Sequence, residues 1–159
     1  MPIEVIASVA AALEHSDLGD AARSTGWLYP LANLVHVLGA ALLVGSIATF
    51  DVQVLRRARD VRAVYAAALA VAVTGFLFQI LSGPVLLSAD ASAVVRNPAF
   101  VFKMAMLLVG VANVVAFHWC FSKAVKKSEP LPPPARVLAG VSLAGWVLVL
   151  FAGRSIAYL

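Results

Sequence analysis

The sequence predicts an all-α protein, an integral membrane four-helix bundle preceded by an N-terminal amphipathic surface helix. Three observations carry that prediction. Hydrophobic residues make up 62% of the chain and charged residues 13%, with a mean hydropathy of +0.95; soluble domains carry roughly 25% charge. Four apolar stretches each reach the roughly 20 residues that cross a hydrocarbon core about 30 Å thick. The basic residues gather in alternate connections between those stretches, as membrane topology requires.

Residues 1–24 are too polar to span. Ile3, Val5, Ile6, Val9 and Leu13 recur at helical spacing among Glu4, Glu14, His15, Asp17, Asp20 and Arg23, which predicts a helix lying on the membrane surface. Ser16 to Asp20 should break it before a second short turn. The segment lacks a leading positive charge and carries Glu4 in its apolar part, so it is expected to be retained rather than cleaved as a signal peptide. The first span covers about 27–55. It has no Asp, Glu, Lys or Arg from Trp27 to Phe50, with Trp27 and Tyr29 placed for one interface and Pro30 in the tolerant first turn.

The second span covers about 63–87, and Gly83-Pro84 should bend or end it. A loop, Ser88–Asn97, leads to Asn97-Pro98, a cap and proline that start the third span, about 98–123. The run from Lys123 to Pro134 reads as a stiff, basic, non-helical linker. The fourth span covers about 136–156. The whole, 1–159, is read as one transmembrane domain.

Eight of the twelve Lys and Arg lie at one end: Arg56, Arg57, Arg59, Arg62, Lys123, Lys126, Lys127 and Arg136. That end is expected to be cytoplasmic. Both termini then face the outer, periplasmic side of a bacterial inner membrane. The bases flank spans, and no basic-aromatic surface motif points to nucleic acid. One cysteine, Cys120, excludes an internal disulfide or a CxxC motif and reads as a buried thiol. Asp51 is expected to pair with Arg56 or Arg57.

Few polar residues lie inside the spans, so each is a candidate site. His36 leads, about 13 Å in from Trp27, with Asn33 and Tyr29 as a polar stripe running outward. On the third span, counted from Pro98, Lys103 lies about 7 Å in, Met106 about 12 Å, Asn113 about 22 Å and His118 about 30 Å. His36 and His118 are therefore about 17 Å apart in depth, too far to hold one metal. The depth match for His36 is Met106, with Lys103 or Met104 as further partners. Lys103, Met106, Gly110, Asn113 and Phe117 follow helical spacing and are expected to face the first span. Arg154, near the outer end of the fourth span, suits a propionate, a phosphate or a lipid headgroup. No Ser/His/Asp set, carboxylate pair, phosphate loop or zinc spacing is present, so an electron-transfer, binding or accessory protein is favoured over an enzyme.

The block W-x-Y-P-x-x-N-x-x-H-V-x-G-x-x-L-L-V-G (Trp27–Gly45), with N-P-A-F-x-x-K-M (Asn97–Met104) and N-x-x-x-F-H (Asn113–His118), resembles a family of small four-span bacterial membrane proteins with no assigned activity. More loosely, a histidine in the first of four apolar helices is similar to the copper-resistance D and b-type cytochrome bundles.

Three readings stand open. The leading one is a redox cofactor, b-type haem, held by His36 with Met106 or a partner chain's residue as second axial ligand, for electron transfer near the outer face; Lys103, Asn33, Tyr29, Asn113 and Arg154 would complete that site. The second is copper handling by His36, Met104 and Met106, with His118 as a further candidate ligand and His15 as a capture ligand at the surface. The third has no cofactor: an accessory subunit of a homo-oligomer or larger membrane complex, with Gly39, Gly45, Gly140 and Gly145 as contact points.

Overall fold

A computed structural model describes residues 2–58 and 61–158. Arg59, one of the bases of the first connection, and the side chain of Ile3 lie outside the described residues. The described chain forms seven helices: α1 (Pro2–Glu14), α2 (Asp17–Ser24), α3 (Leu28–Leu55), α4 (Val61–Ser88), α5 (Ala91–Val94), α6 (Pro98–Lys126) and α7 (Pro133–Ser155). Of these, α3, α4, α6 and α7 are long and apolar enough to cross a membrane, and the chain is a multi-pass membrane protein of the all-α class.

The long helices run up and down. α3 packs along its length on α4, α6 on α7, and α3 on α7. The fourth seam, between α4 and α6, barely closes, and α3 and α6 stand diagonally across the bundle. Large apolar side chains face outward all around it, among them Leu81, Leu108, Trp119 and Phe151. A surface of this kind suits lipid, where apolar exposure carries no penalty.

The helices α1, α2 and α5 gather at one end, here termed the capped end. Ser16 breaks the N-terminal segment, accepting a hydrogen bond from the Gly19 amide at 3.3 Å. The break is sharper than expected, because Asp17 to Asp20 already belong to α2, with both acids in its first turn, where the helix dipole favours them. Arg23 locks the cap: its guanidinium donates to the carbonyls of Ser88 (3.4 Å) and Ala89 (3.3 Å) at the end of α4 and to Glu14 O at 2.8 Å. Glu14 in turn accepts from the Ser92 amide at 2.8 Å. Gly19 is required here, since a Cβ would lie 2.2 Å from Glu14 O.

At the opposite, basic end, α3 and α6 stop in the same way. Arg57 and Ser128 adopt left-handed φ values of 56° and 57°. Their amides bond back to Val54 O (3.2 Å) and Val125 O (3.1 Å), and the next amides, Ala58 and Glu129, bond to Gln53 O (3.1 Å) and Ala124 O (3.0 Å). Both ends are therefore Schellman motifs built without glycine.

α4 runs through Gly83-Pro84 to Ser88, so the proline does not end it. One expectation from the sequence is corrected. The linker expected over 123–134 shrinks from both sides: Lys123–Lys126 finish α6, and Pro133-Pro134 form the first turn of α7, where proline's missing N–H has no partner to lose.

Candidate functional site

Two polar places lie within the bundle, one near each end. Towards the capped end, His36 on α3 faces α4. Its Nδ1 lies 2.9 Å from Ser82 Oγ, and Ser82 spends its single hydroxyl proton on Phe78 O at 2.5 Å. A carbonyl only accepts, so Nδ1–H must be the donor to Ser82, and Nε2 keeps its lone pair. Gln79 adds a bond from Nε2 to the His36 carbonyl at 2.6 Å, and Gly83 leaves room beside the imidazole, with an added Cβ 3.7 Å from Cε1.

The charged group that acts on this imidazole is Lys103, whose stem lies over Gly153 of α7. The depth match with His36 thus falls on Lys103. Met106 packs against the cluster formed by Leu43, Val44, Trp146 and Val149. α3 and α6 stand diagonally across the bundle, so this packing does not pair Met106 with His36. Met104, Asn33 and Tyr29 are exposed on the outer surface, so the structure does not bring them together with His36 inside the bundle. Arg154 turns outward and bonds the Tyr158 hydroxyl, over whose ring it sits. His15 is exposed on the cap. Cys120, expected to be buried, is exposed. The polar stripe of α6 faces α7 and not α3: Gly110 meets the Trp146 ring and Asn113 Nδ2 donates to Leu138 O at 3.1 Å. At Phe117 it reaches α3, edge-on to Phe50 at 5.4 Å.

The second place is larger. Where α4 and α6 fail to close, the seam opens into a cavity of about 210 Å³. Its walls are almost wholly apolar, with Leu43 and Phe76 towards the middle of the bundle and Tyr65 and Phe117 towards the basic end. From Tyr65 to Phe76 it follows α4 for about 16 Å. Asp51, His118, Asn113, Ser142 and Trp146 also line it. Asp51 is 4% exposed and turns towards Ser142 of α7. Its expected pairing with Arg56 or Arg57 is corrected: those two are exposed, because five or six residues on a helix carry a side chain away from its own face.

Three polar atoms around this cavity are buried without a hydrogen-bond partner: Asp51 Oδ2, His118 Nε2 and Trp146 Nε1. His118 Nδ1 lies 3.0 Å from Val114 O. By the same reasoning as for His36, Nδ1 carries the proton and Nε2 is a bare acceptor. Its ring lies tilted against Tyr65, with centroids 5.6 Å apart and 37° between the planes. Since His36 contacts Ser82 and His118 contacts Tyr65, α4 itself measures their separation at about 25 Å. One metal or haem iron cannot be shared between them within one chain.

Sequence reasoning missed the cavity and the role of Asp51. A carboxylate within the last turns of an apolar span was the available signal. Among the described residues, no three His, Cys, Asp or Glu side chains form a group able to hold a metal ion. Comparison with protein-family models, with curated proteins and with solved structures finds no match.

Proposed function

We propose that this protein takes a lipid-soluble small molecule laterally from the bilayer into the cavity between α4 and α6. The observation that carries the reading is the opening of one seam onto a chamber lined by Asp51, His118 and Trp146, each of which has a buried, unpartnered polar atom. Leaving such an atom buried and unpaired costs about 1–3 kcal/mol, so an occupant that supplies the missing bonds recovers a free energy worth a specific affinity. The apolar walls admit the body of such a molecule, and the open seam leaves a path for its tail into lipid.

The test is to fill the chamber. Ala72→Phe and, separately, Ala68→Phe place a ring in it from α4. Native mass spectrometry of protein extracted from its own membranes should find a lipophilic adduct on the unmodified chain and none on the two variants. Identical adduct patterns on all three would end this reading.

A second reading places a redox cofactor at His36. The observation that favours it is the tautomer: Ser82 fixes Nδ1–H and leaves Nε2 with the lone pair a metal takes, the arrangement in which a second group orients a ligating imidazole. In this reading His36 would hold b-type haem through Nε2, and the haem would supply one-electron chemistry there. A Soret band after haem-supplemented expression, lost in His36→Ala and kept in His118→Ala, supports it; absence of the band refutes it.

The proposed setting is a bacterial inner membrane with both termini on the outer side, from the eight bases at one end. Ser128→Cys should react with a membrane-impermeant maleimide only after the cells are opened.

A further inference from the structure

We propose that the occupant of the α4–α6 chamber is a lipid-soluble aromatic ring bearing free hydroxyl groups, a hydroquinone or a close phenolic relative, and that the site favours this form over the oxidised quinone. The inference rests on the lateral-uptake reading above and adds the chemistry of the ligand.

It follows from counting donors and acceptors. Trp146 Nε1–H can only donate. His118 Nε2 can only accept while Nδ1–H is committed to Val114 O. Asp51 Oδ2 accepts as a carboxylate and donates as an acid. All three atoms lack partners. An occupant that satisfies them must both accept a hydrogen bond and donate one. A hydrocarbon chain does neither. A quinone, with carbonyl oxygens alone, accepts and leaves His118 unpaired. An ammonium donates and leaves Trp146 unpaired. A hydroxyl does both.

Placement and lining select a ring. Ser142, which Asp51 meets, and Trp146 lie one turn apart on α7, about 6 Å. The Trp146 ring sits at Gly110 of α6, eight residues before His118, about 12 Å along the axis. Helical side chains lean towards their own N-terminus, so the His118 ring leans back along α6 towards Gly110, where the Trp146 ring already sits, and shortens that gap. Hydroxyls on opposite sides of one ring span such a gap; a lone alcohol reaches one end only. Phe50, Tyr65, Phe76, Phe117 and Trp146 surround the space, and aromatic edges and faces pack well on an aromatic guest. Water would also donate and accept, but an ordered water needs two to four polar partners, and the wall between these groups is apolar. The chamber, about 210 Å³, holds a ring head and leaves an isoprenoid-like tail to pass through the open seam.

Four probes in lipid nanodiscs test this by calorimetry: a short-tailed hydroquinone, its quinone, its dimethyl ether and an alcohol with the same tail. The hydroquinone should bind about tenfold or more tighter than the other three, the equivalent of one buried hydrogen bond. Trp146→Phe and His118→Asn should each weaken the hydroquinone about tenfold; His118→Asn should leave the dimethyl ether, which accepts but cannot donate, unchanged. Equal affinity of ether and hydroquinone for the unmodified chain would overturn hydroxyl recognition, and equal affinity of the tail alcohol would overturn the ring; neither comparison depends on a variant folding. If all four probes bind alike and Ala72→Phe abolishes them, the lateral-uptake reading stands and this one falls. If none binds and Ala72→Phe changes nothing, both fall.

Discussion

Gly39 and Gly75 meet backbone to backbone where α3 crosses α4. A Cβ on Gly75 would lie 2.5 Å from the Leu43 amide nitrogen and 2.6 Å from Gly39 O; one on Gly39 would lie 2.9 Å from Gly75 O and 2.7 Å from Phe78 Cβ. Most of the obstructing atoms are main chain and cannot step aside, so the helices would have to separate. Gly75→Ala and Gly39→Ala should each destabilise the bundle by about 1–3 kcal/mol, the usual range for overpacking. Gly45→Ala, with nothing within 4 Å of its added methyl, should be neutral or mildly stabilising. Thermal unfolding in detergent, followed by circular dichroism, separates the two classes.

Asp51 predicts a conflict between stability and binding. Its Oδ2 is buried and unpartnered, and an apolar group of similar size removes that penalty. Asp51→Leu removes that unpaired atom and also the bond towards Ser142, so it should stabilise the ligand-free protein by no more than about 1 kcal/mol while weakening capture of a hydroxylated ring. Measuring both in one preparation checks the claim; a destabilised Asp51→Leu would mean that the carboxyl is satisfied in the folded protein.

The two Schellman ends offer a stabilising change. Arg57 and Ser128 hold left-handed φ values, a conformation that costs a residue with a Cβ about 1–2 kcal/mol and glycine little. Arg57→Gly and Ser128→Gly should each raise the unfolding midpoint, and the gains should add, since the two turns end different helices.

The cap should loosen in acid. The Ser92 hydroxyl and amide hold the Glu14 carboxyl below the usual glutamate range. A carboxyl depressed on folding contributes its stabilisation above the unfolded value, about 4.3, and loses it as pH falls through the lower, folded value. Hydrogen exchange at Ser92 should therefore quicken relative to core amides as pH falls below about 4, and Glu14→Gln should remove that pH dependence.

How much of this was legible in the sequence depends on what an apolar pattern encodes. Span lengths, the Asn97-Pro98 start and the surface segment followed from local chemistry, and α3, α4, α6 and α7 lie where they were expected within a few residues. Neighbour relations did not follow. A helix that is apolar on every side does not declare its buried face, so nothing in the pattern said that α6 leans on α7, that Met106 packs against the Trp146 cluster, or that one seam stays open. Gly75 was passed over because small residues are common along these spans, and only the facing Gly39 gives it meaning. Asp51 was assigned to the nearby arginines because they are close in sequence; the helical turn sends it to Ser142 instead.

The bonds that fasten the cap reach far along the chain. Arg23 closes on Ser88 and Ala89, which follow it by 65 and 66 residues, and Glu14 waits for Ser92, which follows by 78. A ribosome makes α1 and α2 first, but their anchorage is made only after α4 is complete. The opening helices must therefore remain undocked while two spans enter the membrane, and the cap can close only once the α3–α4 hairpin has brought its far end back beside them.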